Sequence, residues 1–318
     1  MKKLIDLEAY PVQSVLKRLL EDKTTQKNII FATDAYSELG SGYTERDHIT
    51  PEKLTGFSHQ IQIQPRVEKA AADQQARTRK KAEVFTPSWI VNKMNNHCDS
   101  EWFGRENVFN TEQEQTWITN PDKIVFDGTL SWKKYVDSKR IEITCGEAPY
   151  VVSRYDAATG AIIPLENRIG ILDRKMRVIN ENAADNEEWL KWAIRALQAT
   201  YGYEFQGDNL LIARVNILVS FAEYYEARFG EKPNIKLLRE VTNIICWNFW
   251  QMDGLTGTIP FSLPHKSDDE MSQMSFENFF DEVIEEQQLE IAPICRIMDW
   301  RDKKKSISYD EVRGGSKR

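Results

Sequence analysis

The sequence predicts an α/β fold, a largely parallel, doubly wound sheet preceded by a smaller N-terminal region. Three passages predict it. The first is Ile141-Glu-Ile-Thr-Cys-Gly-Glu-Ala-Pro-Tyr150, a β-rich run that closes in a small-residue turn. The second is Thr200-Tyr-Gly-Tyr-Glu-Phe205, a strand that ends in an acid and leads into a long amphipathic helix over 209–229. The third is Thr242-Asn-Ile-Ile-Cys-Trp-Asn-Phe249, an apolar strand candidate preceded by a short helix over 235–241. Strands separated by helical patterns of about 10–15 residues are what parallel βαβ units require.

Composition sets the outer limits. A chain of 318 residues admits one large domain with an appendage, or two modest ones. With 41% apolar and 29% charged residues, it has the balance of an ordinary soluble protein. No apolar run approaches the roughly 20 residues that a membrane-spanning helix needs. The N-terminus, Met-Lys-Lys-Leu-Ile-Asp-Leu-Glu, is charged where a signal peptide needs an apolar core, so a cytoplasmic location is expected. Cys98, Cys145, Cys246 and Cys295 form no Cys-x-x-Cys pair, and the four histidines are dispersed. His97-Cys98 is the only close couple, and two ligands without partners make no metal site. Reduced structural thiols are expected, with no bound metal. The net charge of −7 excludes a uniformly basic nucleic-acid binder but leaves room for local patches. Arg66, Lys69, Arg77, Arg79, Lys80 and Lys81 cluster before the first motif. Lys303, Lys304, Lys305, Arg313, Lys317 and Arg318 form a basic tail over 301–318. Each cluster reads either as a phosphate-contacting surface or as a solvated face.

The elements follow in order. Apolar positions at Val12, Val15, Leu16, Leu19 and Leu20 predict a helix within residues 1–30. Residues 28–33 are a short strand candidate, and 60–64 alternate as an exposed strand does. The unbroken Ala/Gln/Arg/Lys run over 67–81 suits a helix, and a soft boundary near residue 81 separates an N-terminal region (1–81) from the main domain (82–318). Then comes Ala82-Glu-Val-Phe-Thr-Pro-Ser-Trp-Ile-Val-Asn-Lys-Met94. Here Thr86 is expected to cap a helix whose first turn holds Pro87 and whose stripe is Ile90, Val91 and Met94. A helix start of this kind can turn amides toward a carboxylate or phosphate. Beyond the turn at Cys145, residues 153–186 form a polar excursion with a hairpin-like turn at Asp156-Ala-Ala-Thr-Gly160. A compact nucleotide-binding unit has its second acid about 20 residues past the glycine turn. Glu204 is the acid expected to fill that role, so the stretch over 162–182 reads as an insertion. Asp208 is the expected N-cap of the long helix, which Gly230 stops.

The pairing of Phe85-Thr86-Pro87 with Glu142-Ile-Thr-Cys-Gly146 resembles the amino-methylating DNA methyltransferases, adenine-N6 type, and among them the modification subunits of restriction systems. The resemblance covers roughly residues 66–255. It implies a Rossmann-like, S-adenosylmethionine-dependent methyltransferase sheet. In that family the Phe-Thr-Pro turn holds the methionine end of the cofactor, which places Phe85, Thr86 and Pro87 there. The acid–small–glycine turn wraps around the cofactor, as Glu142, Cys145 and Gly146 would. An acid at the position of Glu204, followed by Phe205, accepts the ribose hydroxyls. Asn248 and Phe249 match the adenine contact, with Asp253 a rival for the polar role and a plain aromatic core the alternative. The chain departs from the pattern where the family has a second glycine and this sequence has Glu147-Ala148-Pro149.

A larger departure concerns catalysis. These enzymes use a polar residue, two prolines and an aromatic to hold and stack the flipped base, and the sequence contains no such run. The nearest substitute is Asp299-Trp300, at the end of a strand expected over 292–298 after an acidic helix around 276–288. In that reading Asp299 accepts from the target amine and Trp300 stacks. The expected function is therefore DNA adenine-N6 methylation, with DNA and a specificity subunit, or a second copy, as partners. The alternative is a pseudo-methyltransferase that binds cofactor or partner without chemistry. A remoter alternative is a Mg²⁺-dependent nuclease built on Pro121-Asp122 and Asp137-Ser-Lys139.

Overall fold

The computed structural model describes residues 3–57, 59, 61–69, 86–264, 290–302 and 305–313. In chain order the elements are α1 (Leu16–Leu19), α2 (Pro51–Leu54), α3 (Ser88–Phe103), β1 (Asn110–Gln113), β2 (Thr116–Thr119), α4 (Trp132–Asp137) and β3 (Arg140–Glu142). There follow α5 (Ile171–Asn182), α6 (Asn186–Gln198), β4 (Thr200–Glu204), α7 (Gly207–Phe229), α8 (Ile235–Asn248) and β5 (Phe249–Gln251). The last are β6 (Ser262–Pro264), β7 (Glu290–Ala292), β8 (Arg296–Asp299), β9 (Lys305–Ser308) and α9 (Tyr309–Arg313). The chain is mixed α/β. No helix among the described residues is long and apolar enough to cross a membrane.

Its centre is a three-stranded parallel sheet in the order β3-β4-β5. Glu142 lies opposite Gly202, and Glu204 opposite Gln251. Every residue of β4 is buried, as expected for the middle strand of a sheet covered on both sides. The side chains of β4 and β5 sort onto two faces by their period of two. Phe249 and Cys145 join the main core with Trp189, Leu197, Leu210, Ile217, Val241 and Ile244 of the helices. Tyr201, Tyr203, Trp250 and Met252 pack instead against Cys295 and Ile297, with Tyr309 beside them. The crossover helices thus cover one face, and the antiparallel β8–β9 hairpin with α9 covers the other. Among the described residues the sheet is wound on one face only. The reason is topological: strand order follows chain order, and crossovers of one hand that all step the same way fall on the same side.

Several expected elements hold. α3 starts immediately after Pro87, α6 covers the expected 187–199, and α7 ends on Gly230 in the left-handed conformation at φ 72°. The hairpin at 156–160 is closed by Asp156 N–H to Ala161 O at 2.8 Å and Gly160 N–H to Asp156 O at 2.8 Å. Others change. Residues 242–248 are helical and belong to α8, not to a strand; Leu237, Leu238, Val241, Ile244 and Ile245 make its buried stripe. The β-branched content suggested a strand, but the spacing of 3–4 is that of a helix. The stretch over 162–182, read as an insertion, carries α5, which buries Leu172, Met176, Val178 and Ile179 in the main core. Among the described residues of 1–30, the helical structure is α1 and one 3-10 turn. Residues 28–33 form no ladder strand, but Phe31 N–H and Ala32 N–H donate to Asp47 O (3.0 Å) and Glu45 O (2.8 Å). Ile61 and Ile63 are buried in alternation without a ladder. The expected helices over 67–81 and 276–288 fall, apart from 67–69, outside the described residues. The 3-10 turn Arg66–Glu68 is what the structure shows at the start of the first. The N-terminal region has no separate core: Ile5, Leu16, Leu19, Ile49 and Ile61 belong to the same cluster as the helices.

Candidate functional site at the carboxyl end of the sheet

After β3 the chain makes a tight turn with three residues at positive φ: Thr144 (50°), Gly146 (54°) and Ala148 (62°). The left-handed region is free only to glycine, so the two non-glycine residues there are held by their surroundings. Cys145 N–H donates to Tyr203 O at 2.8 Å, which carries the β3–β4 ladder into the turn. Ala148 N–H donates to Cys145 O at 2.7 Å. Glu204 closes the arrangement from the end of β4. Its Oε2 accepts from Gly146 N–H at 2.8 Å and its Oε1 from Gln206 N–H at 3.1 Å. The carboxylate is buried, and burial raises its pKa against the pull of those amides.

Glu142 ends β3 on the same side of the sheet as Glu204. Burial pushes its pKa well above the usual value; the backbone amides of Tyr150 and Val151 oppose this, and the charge of Glu204 adds to it. Its Oε2 is sealed from water and has no hydrogen-bond partner among the described residues. Two acids therefore converge on one turn, and one of them carries an acceptor without a donor. Cys145 is buried beneath them. Burial and then the charges of Glu142 and Glu204 raise its thiol pKa, which makes it an unreactive packing residue. Gly202 is required here: a Cβ would lie 2.9 Å from the Phe249 ring and 3.2 Å from Cys145 Cβ.

The helix α3 is brought to this turn. Asn95 Nδ2 donates to Tyr150 O (3.1 Å) and Ile169 O (3.0 Å), and Tyr150 Oη lies 3.1 Å from Met94 Sδ. The expected cap is different, however. Pro87, not Thr86, is the N-cap, and it makes no side-chain cap hydrogen bond. Ser88 N–H instead donates to Asp156 Oδ2 at 2.7 Å. Burial works against the charge on Asp156, yet the hydrogen bonds from Ser88 and Thr159 hold its carboxyl below the usual range. That first amide is thus held by the chain's own carboxylate. Phe85 lies outside the described residues.

Of the remaining expected site residues, Asn248, Asp299 and Trp300 sit toward the other end of the sheet, whereas Phe249 lies level with Glu142, both opposite Gly202. Asn248 ends α8, so it precedes β5. Its Nδ2 donates to Leu197 O (2.9 Å) and Thr200 O (3.0 Å), and its Oδ1 accepts from Trp300 Nε1 at 2.7 Å. Phe249 is buried in the core, and its carbonyl accepts from Arg214 Nε at 2.8 Å. Asp299 pairs with Lys139 at 3.3 Å, and Lys139 immediately precedes β3. Asn248 contacts Thr200, which precedes Glu204 by four residues and Gly202, level with Glu142, by two; at about 3.3 Å per residue, Asn248 lies on the order of 13 Å along the strand from Glu204 and about 7 Å from the row of Glu142. The structure does not bring Asn248, Asp299 and Trp300 to the turn. The cause is the α8 extension, which shifts Asn248 by the length of a strand, and the antiparallel β8–β9 hairpin, which keeps Asp299 off the parallel ladder. The nuclease-like pair is likewise engaged elsewhere: Asp137 is taken by Arg195 and by Arg301 (3.2 Å). No cluster of His, Cys, Asp and Glu suited to a metal occurs among the described residues.

The chain matches no family model, no curated protein and no solved structure.

Sequence reasoning missed the residues that cover the carboxyl end. Gln251 closes β5 with a side chain that mimics a strand: Oε1 accepts from Ile30 N–H and Nε2 donates to Ile30 O, both at 2.9 Å. Nε2 also donates to Phe205 O at 2.8 Å. Gly207 N–H donates to Phe31 O at 2.9 Å, and a Cβ on Gly207 would lie 1.9 Å from Ile30 O. The N-terminal segment thus seats its backbone over the start of α7. Asp208, the expected cap, lies in the first helical turn and accepts from Tyr36 Oη at 3.0 Å, with Lys69 at 3.6 Å. A glutamine in an otherwise apolar Phe-Trp-Gln strand was the one local signal for this seam.

Chemically, the turn offers an acid with an unpartnered acceptor, a second acid bound to backbone amides, and main chain with three residues held at positive φ. That set fits a ligand carrying an ammonium group or hydroxyls. Asn248 is spent on Leu197, Thr200 and Trp300, and Phe249 is buried in the core, so neither is open to an adenine ring.

Proposed function

We propose that the chain is an S-adenosylmethionine-binding module of the DNA adenine-N6 modification type, with a Rossmann-like nucleotide-binding half as its scaffold. The observation that carries this is the convergence of Glu142 and Glu204 on the 142–151 turn, at the carboxyl ends of adjacent parallel strands. In open α/β sheets that crevice is where nucleotide-like ligands bind. Glu142 Oε2 has no hydrogen-bond partner among the described residues and is closed to water, so it becomes the acceptor for a ligand ammonium or hydroxyl when the turn shifts to admit the ligand. Glu204 orients the turn through Gly146 and Gln206, and Cys145, Gly146 and Ala148 present main chain to the ligand. When bound, the cofactor supplies an electrophilic methyl group; the chain's part is to hold it and shield it.

Base chemistry is assigned outside Asp299 and Trp300, because their ion pair and hydrogen bond tie them to the other end of the sheet. This favours a module that binds cofactor and works with DNA and a further subunit over a self-sufficient methyltransferase. The test is methyl transfer to DNA by the purified chain, alone and with co-purifying proteins. Transfer only in the presence of a partner, unchanged by Asp299→Ala, is expected. Transfer by the chain alone that is abolished by Asp299→Ala while cofactor binding persists contradicts the assignment.

A further inference from the structure

The central sheet has an open side. β3 pairs with β4 on one edge and, among the described residues, with no strand on the other. Arg140 N–H donates to Ala199 O at 3.0 Å. Backbone groups alternate along a parallel ladder, so Arg140 and Glu142 bond toward β4 while Ile141 and Ile143 turn their amides away from it. No described residue accepts from those two amides. Their side chains lie on the face of Tyr201, the ladder partner of Ile141. The β8–β9 hairpin and α9 cover Tyr201, Tyr203 and Trp250 on that face but stop short of β3. Ile141 therefore stays 47% exposed and Ile143 62%, with Val312 of α9 at 47% across the gap. Ile141, Val312, Met298 and Ile307 line an apolar groove of about 140 Å³ between β3 and the hairpin.

The two ends of this groove differ in charge. At the amino end of β3 stand Lys139, Arg301 and Lys305, around Asp137 and Asp299. Toward the carboxyl end, α9 brings Asp310 and Glu311, with Arg313 beside them. Its Tyr309 packs on Tyr203, which lies beyond Tyr201 along β4, and Asp310 reaches Gly257 in the loop after β5. We propose that the open edge of β3 and the face of Ile141, Ile143 and Val312 dock a second copy of this chain, the two β3 strands running antiparallel about a twofold axis. The outward amides of each strand then find carbonyls on the other, and the apolar side chains of each copy cover those of its partner. Charge selects the direction. An antiparallel copy sets the basic end of one groove against the acidic end of the other, whereas a parallel copy sets like against like. A twofold interface makes every contact twice and so needs a surface that complements itself, as this one does. The interface adjoins the acid-pair turn, which continues directly from β3, but it does not depend on what that turn binds.

The test is sedimentation velocity of the full chain over a range of micromolar concentrations, where wild type is expected as a reversible dimer. Ile141→Lys with Ile143→Lys alters two exposed side chains, so the monomer should keep its circular dichroism. Dimerisation should weaken at least about tenfold, because the interface would bury ammonium groups against apolar ones. Hydrogen exchange gives a second readout on unaltered protein: peptides spanning 139–144 should exchange more slowly as concentration rises. Reversing one end, by Lys305→Glu or by Asp310→Lys, should weaken the dimer, and the two reversals together should restore it. Wild type that is monomeric at every concentration overturns the proposal. So does a dimer undiminished by Ile141→Lys with Ile143→Lys, or exchange over 139–144 that ignores concentration. A double charge reversal that dimerises no better than the single ones overturns the antiparallel arrangement.

Discussion

Glu142 is the residue on which the chemistry of the turn depends. Its pKa is raised in the folded chain, so the folded form holds its proton at pH values where the unfolded chain, near 4.5, has released it. The favourable contribution is therefore present below about pH 4.5 and lost as the pH rises through the higher folded value. Glu142→Gln has no proton to lose. The variant should gain stability relative to wild type as the pH rises from 5 to 8, read from chemical denaturation at each pH. A stability difference independent of pH would mean that Glu142 is not desolvated. The same residue shows what was legible in the sequence. The sequence places Glu142, Cys145, Gly146 and Glu204 together through strand-end acids and a small-residue turn, and the structure brings the four to one turn, because those signals are local. Asn248, Asp299 and Trp300 were misplaced, because which end of a strand a residue occupies depends on where a neighbouring helix stops.

At the scale of elements, the β3–β4 pair and the helices α3, α6 and α7 follow from patterns a single sequence carries: Pro at a helix start, Gly at its end, an acid after an apolar strand; β5 does not, because the strand expected over 242–249 is helical through Asn248. The one-face winding does not, since it depends on strand order, and neither does the seam where residues 29–32 meet α7 and Gln251. That seam gives a sharp prediction. Gly207 has no room for a side chain, with Ile30 O 1.9 Å from an ideal Cβ. Gly207→Ala must either displace the N-terminal segment or shift α7, and overpacking of this kind costs about 1–3 kcal/mol. Denaturant unfolding should show that loss, and limited proteolysis should cut within residues 23–50 faster than in wild type. Gly230→Ala serves as the control: that glycine, unlike Gly207, sits in the left-handed region and nothing crowds it, so its replacement should destabilise without exposing the segment. Equal proteolysis of the two variants would show that the seam is not what Gly207 protects.

For the whole molecule, one core joins the N-terminal region to the helices, and the structure therefore gives no independent appendage whose loss would be harmless. The overall charge of −7 means that any DNA contact must be local. The expected contact is the basic run before α3, of which Arg66 and Lys69 are described and Arg77, Arg79, Lys80 and Lys81 are not. If DNA lies beside it, replacing Arg77, Arg79 and Lys80 together should reduce the log–log salt slope of DNA binding by roughly 0.9 for each phosphate contact removed. An unaltered slope would place DNA elsewhere or nowhere on this chain. The sequence offered this cluster by composition alone; fold gives it no further support.

The central claim is that the acid pair at the ends of β3 and β4 holds S-adenosylmethionine. Calorimetric titration of the cofactor into wild type, Glu142→Gln and Asp299→Ala tests it directly. The account predicts saturable binding by wild type and undiminished binding by Asp299→Ala. Glu142→Gln should lose about 1.5–3 kcal/mol, roughly tenfold to a hundredfold, as expected for a charge-assisted hydrogen bond. No measurable binding by folded wild type, or equal affinity in Glu142→Gln, would contradict it.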